Sequence, residues 1–178
     1  MNPIAQLYRE IDESGLWERS VVLRRGEFLK ESGTTDTHVY YVESGSLRVF
    51  VQQDDVEYTI RFGYAGNLFV AMDSFITGKP SELSIQAIRK SELRIISGKA
   101  FRNFIHASHE RVILWNGILE QLVLQQLERE TDLLVDSPAE RYRRVLSRSP
   151  RLFQEIPGRY IASYLRMTPE TFSRLKKS

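Results

Sequence analysis

Residues 40–51, YYVESGSLRVFV, are typical of a β-strand, a tight Ser-Gly turn and a second β-strand. Similar short apolar runs, separated by glycines and other turn residues, follow one another from Val21 to Ile96. Several short strands at this spacing predict an antiparallel β-barrel or jelly roll. Ahead of them, residues 2–13 place apolar side chains on one face of a short predicted helix.

The hydrophobic pattern changes to a helical period at about Lys99 and keeps it to about Val135. One helix of this length would extend about 50 Å at 1.5 Å per residue, which is longer than a small barrel. Its apolar residues cover more than one face, so we expect it to pack on its own barrel and on a second copy of the chain. The alternative is a core helix of a monomer. The residues predicted for the dimer interface are Val112, Trp115, Leu119 and Leu122.

A domain boundary is predicted at Asp136 and Ser137, where a new helix begins. Ser137 suits an N-cap, Pro138 suits the first helical position, and Glu140 completes a capping box. The predicted fold class is α+β, with an N-terminal antiparallel β-barrel or jelly roll, a long dimerisation helix and a C-terminal helix-turn-helix. The three predicted domains are residues 1–97, 98–136 and 137–178.

The stretch IASYLRMTPETFSRLKK, residues 161–177, predicts two short helices joined by a turn. Thr168 is a favourable N-cap for the second helix, Pro169 is a favourable first residue, and Phe172 would face inward. The opposite face would carry polar side chains at helical spacing: Glu170, Ser173, Arg174 and Lys177. This pattern predicts a helix-turn-helix whose second helix enters a DNA groove. The alternative is an amphipathic tail helix.

Charge is divided unevenly along the chain. Residues 137–178 contain ten Lys and Arg against three Glu, a net charge of +7, while residues 1–136 carry a net charge of −5. A basic module of this kind favours a polyanionic partner, and double-stranded DNA is the predicted one. The residues predicted to contact DNA are Thr168, Pro169, Glu170, Thr171, Ser173, Arg174, Lys176 and Lys177.

The residues of this chain do not suggest an enzyme, a cofactor site or a metal site. There is no cysteine, there are three histidines, and neither a phosphate-binding loop motif nor a Ser-His-Asp order is present. The first residues, MNPIAQLYREIDESG, are polar and acidic and do not resemble a signal peptide. Since no apolar run approaches about 18 residues, we expect no membrane span and a cytoplasmic protein.

The order of these parts resembles the Crp/Fnr family of bacterial transcription regulators over essentially the whole chain. The stretches that carry the resemblance are RRGEFLKESG (24–33), YYVESGSLRVFV (40–51), FITGKPS (75–81) and IASYLRMTPETFSRLKK (161–177). The resemblance implies a cyclic-nucleotide-binding-like barrel, a homodimer, an unknown small-molecule effector, and RNA polymerase as a further partner. It also implies that Glu170 and Arg174 read bases and that Thr171 contacts phosphate.

Two positions depart from the members of this family that bind cyclic AMP. Those members carry an Arg-Ser pair for the phosphate, where this chain has Ser81 and Glu82, and their ribose-binding Glu is matched by Asn67. A Glu beside a phosphate is repulsive, so cyclic-AMP binding is expected to be lost. Arg166 also occupies a turn position usually given to glycine. The ligand-pocket residues implied by the resemblance are Gly66, Asn67, Leu68, Phe69, Ser81, Glu82 and Ser84.

The leading prediction is therefore a DNA-binding transcription regulator of the Crp/Fnr type with a sensor barrel. FITGKPS and TPETFSR are most similar to a small subgroup common in Bacteroidetes-type bacteria. The alternative, from a different class, is a ligand-binding or protein-interaction barrel whose C-terminal helices dock a protein partner.

Overall fold

The computed structural model describes residues 2–177, which form eight strands and eight helices. The strands are β1 Arg19–Leu23, β2 Phe28–Lys30, β3 Val39–Ser44, β4 Ser46–Gln53, β5 Val56–Tyr64, β6 Leu68–Val70, β7 Ser84–Ala87 and β8 Ser91–Ile96. The helices are α1 Pro3–Glu13, α2 Met72–Thr77, α3 Gly98–His106, α4 His109–Leu134, α5 Pro138–Arg148, α6 Pro150–Glu155, α7 Gly158–Tyr164 and α8 Pro169–Lys177. The predicted order of helix, strands and helices is confirmed, with the short α2 inserted between β6 and β7.

The strands form two antiparallel sheets, with orders β1-β8-β3-β6 and β2-β7-β4-β5. The two strands of YYVESGSLRVFV, β3 and β4, lie in different sheets, so the turn between them carries the chain from one sheet to the other. Gly45 makes this turn with φ 88°, and a Cβ atom there would lie 2.3 Å from the carbonyl oxygen of Lys90. A side chain would not fit at this corner. The predicted antiparallel β-fold is thus a sandwich of two sheets.

Side chains between the two sheets form the core of the sandwich. Val42, Leu47 and Leu93 are fully buried there, and Ile85 is almost fully buried. Burying one such side chain contributes about 1.5–3 kcal/mol to stability. β5 is the outermost strand of its sheet and pairs within it with β4. The other side of β5 is therefore available to elements outside the sandwich.

The prediction of one helix from residue 99 to residue 135 is wrong, because the chain forms two helices there, α3 and α4. Ala107 and Ser108 separate them, and Ser108 has an extended backbone with φ −144° and ψ 133°. Phe101 and Phe104, expected in the long helix, lie in α3 and are buried in a second core cluster beneath α1. α4 still has 26 residues, a length of about 39 Å at 1.5 Å per residue.

The four residues predicted for dimer contacts face the sandwich of their own chain. Val112 and Trp115 pack against the second core cluster, where the ring centroids of Trp115 and Phe101 are 5.0 Å apart. Leu119 and Leu122 line a cavity between α4 and the sandwich. The large apolar side chains that α4 exposes are different ones: Ile113, Val123, Leu124, Leu127 and Leu134. These five side chains do not contact the sandwich core and are open to solvent in the single chain.

A third core cluster joins the C-terminal helices to the sandwich. Val145 of α5, Leu152 of α6 and Ile161 of α7 are buried together with Ile88, which follows β7. Phe62 of β5 packs against the same cluster. The C-terminal helices therefore share a core with the sandwich, although the sequence predicted them to be a separate domain.

The outer side of β5 is hydrogen-bonded to α7. The Ser163 hydroxyl accepts from the backbone N–H of Thr59 at 3.1 Å and donates to the backbone carbonyl of Glu57 at 3.0 Å. Arg129 of α4 donates to the carbonyl of Thr59 at 3.1 Å. These bonds satisfy backbone groups that an outermost strand would otherwise leave unpaired.

Candidate functional site

α7 and α8 form a pair of short helices joined by a turn at residues 165–168. Phe172 of α8 is 5% exposed, as predicted, and packs over Gly158 of α7, where a Cβ atom would lie 2.8 Å from the ring. Thr168 precedes α8 and caps it as predicted: its hydroxyl accepts a hydrogen bond from the backbone N–H of Thr171 at 3.2 Å. These contacts fix α8 against α7.

The outward face of α8 is polar and largely basic. Most residues predicted to contact DNA are exposed here: Thr168, Pro169, Glu170, Ser173, Arg174, Lys176 and Lys177. Thr171 is half-buried, with its hydroxyl oxygen 3.2 Å from that of Thr168. A hydrogen bond from its own backbone N–H, and a second from the Thr168 hydroxyl, lower the pKa of Glu170. Glu170 is therefore ionised at neutral pH and stands as one negative charge among three positive ones.

Arg141 of α5 supports this helix pair and was not identified from the sequence. It is 9% exposed, and its guanidinium donates to four backbone carbonyls. The acceptors are Val135 at 2.6 Å, Asp136 at 3.0 Å, Leu165 at 2.9 Å and Arg166 at 3.2 Å. Arg166 has φ 52°, so the left-handed backbone expected at this glycine-like position is present. Arg141 thus ties the segment before α5 to the turn that positions α8.

The end of α4 is joined to α5 by a buried carboxylate. Asp132 is 2% exposed and accepts from Arg144 Nε at 2.9 Å and from Arg148 Nη2 at 2.5 Å. Glu128, one turn earlier in α4, lies 3.2 Å from Arg148 Nε. An unpaired buried carboxylate would be strongly destabilising, so these pairs hold α5 in one orientation on α4. The predicted cap of α5 is also present, since Ser137 Oγ accepts from the backbone N–H of Glu140.

A cavity of about 230 Å³ lies between the sandwich and α4, and we name it the sandwich cavity. Most of its wall is apolar or aromatic, including Phe62, Trp115, Leu119 and Leu122. Among the predicted pocket residues, Asn67, Leu68 and Phe69 line this cavity, whereas Gly66, Ser81, Glu82 and Ser84 do not. The Asn67 side chain also accepts a hydrogen bond from the backbone N–H of Tyr64, the last residue of β5, at 3.0 Å.

The loop between α2 and β7 carries Ser81 and Glu82, the two residues that the sequence resemblance matches with a phosphate-binding Arg-Ser pair. The Ser81 hydroxyl accepts from the backbone N–H of Leu83 at 3.0 Å, and Glu82 is exposed. The nearby ammonium group of Lys30 is buried and donates to the carbonyls of Glu31, Ser81 and Leu83. Burial lowers the pKa of Lys30. Both the hydroxyl and the ammonium are thus already bonded to backbone groups of the chain.

A second and more polar cavity, of about 440 Å³, lies where the sandwich, α4 and the C-terminal helices meet, and we name it the junction cavity. Its wall includes residues from all three parts: Arg61, Phe62, Tyr64, Gln125, Arg129, Arg148, Leu152 and Tyr164. Arg61 and Gln125 line both cavities, and Arg61 Nη2 donates to Gln125 Oε1 at 2.8 Å. This hydrogen bond is part of the partition between the cavities. No sequence motif marked these residues, because they come from three distant segments.

No group of His, Cys, Asp or Glu side chains among residues 2–177 is arranged to hold a metal ion. No helix in this range is long and apolar enough to cross a lipid bilayer.

Known proteins share both a domain and a fold with this chain. The profile of the cyclic nucleotide-binding domain family matches residues 20–108, which is half of the chain. Among curated proteins, no sequence matches significantly. FixK2 from Bradyrhizobium japonicum has a similar solved structure, with 19% sequence identity and a TM-score of 0.73 over 89% of this chain and 82% of that chain.

Two other solved structures are similar over nearly the whole length. A cyclic nucleotide-binding domain containing protein from Listeria monocytogenes has 13% identity and a TM-score of 0.75, covering 99% of this chain and 89% of that chain. A protein from Eubacterium rectale, described as a transcriptional regulator of the Crp/Fnr family, has 16% identity and a TM-score of 0.69, covering 96% of this chain and 84% of that chain. At these identities the similarity shows a common fold.

Proposed function

The chain belongs to the cyclic nucleotide-binding domain family and has the fold of the Crp/Fnr regulators, and we propose that it is a DNA-binding transcription regulator that acts as a homodimer. The observation that carries this proposal is the exposed polar face of α8. That face lies on a helix pair fixed by buried contacts, in a segment with a net charge of +7. Both properties suit a helix that enters the major groove of DNA.

Arg174 and Glu170 are the residues we propose to read bases. A guanidinium can donate to O6 and N7 of guanine together, and an ionised carboxylate can accept from N4 of cytosine. Lys176 and Lys177 would contact phosphates, which supply affinity but carry little sequence information. The remaining residues of the face, Thr168, Pro169, Thr171 and Ser173, would complete the contact with the DNA backbone.

The proposed homodimer is supported by the spacing of residues on the outward face of α4. Positions a and d of a heptad repeat fall on Ile113, Gly117, Glu120, Leu124, Leu127, Thr131 and Leu134. Four of these seven positions carry Ile or Leu, the kind of residue that a two-stranded coiled coil places along its seam, and the polar Glu120 and Thr131 would help to set the register. A Cβ atom on Gly117 would have nothing within 4 Å, so a second helix can approach closely there. A two-fold dimer would present two α8 helices to a two-fold DNA site.

We propose further that the sandwich senses an effector other than cyclic AMP. Glu82 adds a negative charge where a phosphate would need a cation, and the groups of Ser81 and Lys30 are bonded to backbone. The sandwich cavity next to α4 supports the presence of an effector site, because a ligand there would touch both the sandwich and the proposed dimer helix.

The test of this function is the selection of binding sites from a random DNA library with the wild type, Arg174→Ala and Glu170→Ala. We expect Arg174→Ala to weaken the free energy of binding to the selected site by about 1–3 kcal/mol and to relax the sequence preference at one base pair. Lys176→Ala is the matched control. It should weaken binding to all sequences alike and reduce the slope of the salt dependence by about 1.

Identical motifs recovered with all three proteins would show that this face of α8 does not read bases. If the wild type enriched no sequence at all, the alternative of a helix pair that docks a protein partner would replace the proposal.

A further inference from the structure

Two arginines on the wall of the junction cavity make no direct contact with a carboxylate. Among residues 2–177, neither Arg61 nor Arg129 forms an ion pair within 4.0 Å. The third arginine of the cavity, Arg148, is by contrast paired with both Asp132 and Glu128. Arg61 donates to the neutral Gln125 side chain and Arg129 donates to a backbone carbonyl. The three arginines of the wall thus face two carboxylates, Glu128 and Asp132, and both carboxylates contact Arg148 rather than Arg61 or Arg129.

Both guanidinium groups are partly withdrawn from water. Burial is the main cause that lowers the pKa of Arg61 and of Arg129, and the charge of Arg129 lowers the pKa of Arg61 further. Two positive charges in a poorly solvated site repel each other. An anion between them would attract both and offset the repulsion. The electrostatics of the cavity thus favour a negatively charged occupant.

Polar atoms beside these arginines lack hydrogen-bond partners. Nε of Arg129 is buried without a partner among residues 2–177, and so is the hydroxyl of Thr59, the residue whose carbonyl accepts from Arg129. Native proteins rarely leave buried polar groups unsatisfied, so such groups require an explanation. The Nε donor of Arg129 lies on a residue of the cavity wall, beside a second guanidinium without a carboxylate partner, and this arrangement suits an anion.

We propose that the junction cavity binds the negative group of an organic anion between Arg61 and Arg129, with the apolar part of the same molecule in the sandwich cavity. Carboxylate and phosphate groups share the oxygen geometry that guanidinium groups recognise. The apolar lining of the sandwich cavity fits a hydrocarbon or aromatic body. The Arg61–Gln125 hydrogen bond separates the two cavities. A ligand that replaced Gln125 as the partner of Arg61 would therefore reach from the junction cavity into the sandwich cavity.

This inference rests on the proposed function, since the anion would be the effector of the regulator. Arg129 connects the site to the outer side of β5 through Thr59, and its guanidinium carbon lies 4.9 Å from the ring centroid of Tyr164 in α7. An anion that draws Arg129 towards it would therefore act on the bonds that hold the C-terminal helices to the sandwich.

Calorimetry on the full chain with octanoate and octyl phosphate tests the proposal, because these probes share one apolar chain and differ in the acidic group. The neutral 1-octanol tests the need for charge, and inorganic phosphate tests the need for the apolar part. We expect saturable binding of at least one octyl anion and no binding of 1-octanol. The stronger of the two anions identifies the carboxylate or the phosphate as the preferred group.

Two variants locate the site. Arg61→Gln and Arg129→Gln should each raise the Kd of the bound anion at least about tenfold, while Arg143→Gln, which removes an equal charge outside the cavity, should leave it unchanged. Circular dichroism confirms that each variant is folded. No binding of either octyl anion, equal binding of 1-octanol, or an unchanged Kd in both cavity variants would overturn the proposal.

Fluorescence anisotropy with the selected DNA separates this inference from the proposed function. A wild type that binds its DNA site but neither octyl anion refutes the anion site and leaves the regulator intact. A wild type that binds an octyl anion through Arg61 and Arg129 but recognises no DNA supports the site and refutes the regulator.

Discussion

At the residue scale, Arg141 satisfies four backbone carbonyls from two distant parts of the chain. We expect Arg141→Met to lower the free energy of unfolding by about 2–4 kcal/mol, because buried acceptors that lose their donor cost about 1–3 kcal/mol each before relaxation. Urea denaturation measures the change. Arg143→Met is the matched control on the same helix, since its side chain is 70% exposed, and should change stability by less than about 0.5 kcal/mol. Equal losses in the two variants would contradict a special role for Arg141.

A second residue-scale prediction concerns cyclic AMP. Titration calorimetry should detect no saturable binding in the micromolar range, because Glu82 stands where the phosphate needs a cation and Ser81 does not line the sandwich cavity. Octanoate or octyl phosphate in the same instrument provides the positive control. Micromolar binding of cyclic AMP would show that the comparison with cyclic-AMP-binding relatives places the wrong residues at the phosphate.

Local residue chemistry explains which of these features could be predicted. The caps at Ser137 and Thr168 were predictable because each bond spans three residues, and Phe172 was predictable from helical spacing. Arg141 was not, since two of its acceptors lie 24 and 25 residues away. The sequence around a buried arginine that donates to distant carbonyls does not differ from the sequence around an arginine that is exposed to water.

At the element scale, α4 carries apolar residues on two sides, of which one is covered and the other is exposed. One face, with Val112 and Trp115, packs on its own sandwich, and the other exposes Leu124 and Leu127. We expect the double variant Leu124→Glu, Leu127→Glu to be a folded monomer, because like charges would meet across the proposed seam. Light scattering at micromolar concentration, beside the wild type, measures this. A wild type that is itself monomeric would contradict the proposed dimer.

The matched comparison for this prediction is Trp115→Ala. It removes an in-chain contact with the Phe101 ring and should lower the free energy of unfolding by about 2–4 kcal/mol without abolishing dimers in the folded population. If Trp115→Ala instead gave a stable monomer, the dimer interface would lie on the face of α4 that the sequence predicted, the face that carries Trp115.

Periodicity could not assign the faces of α4, because a helix with apolar residues on both sides gives no single stripe. The break at Ala107 and Ser108 was missed for a related reason. Neither residue is glycine or proline, so nothing local requires the extended backbone that separates α3 from α4. The break is instead set by packing, which buries α3 beneath α1 and directs α4 across the sandwich.

At the scale of the whole molecule, Ser163 joins α7 to β5. We expect Ser163→Ala to accelerate amide hydrogen exchange at Thr59 about tenfold, because a lost bond of about 1–2 kcal/mol lowers the free energy of local opening by that amount. Exchange followed by NMR or mass spectrometry measures the effect. Ser147→Ala, an exposed serine on α5, is the control and should leave exchange at Thr59 unchanged. Unchanged exchange in Ser163→Ala would show that the outer side of β5 is held by other contacts.

The position of β5 at the outside of its sheet has a consequence for solubility. Any rearrangement that lifts α7 away leaves the N–H of Thr59 and the carbonyl of Glu57 without their present partner, Ser163, and exposes the apolar surface around Ile88. An uncovered outer strand of this kind is a template for pairing with another chain. By covering β5, the C-terminal helices therefore protect the chain against aggregation through this strand.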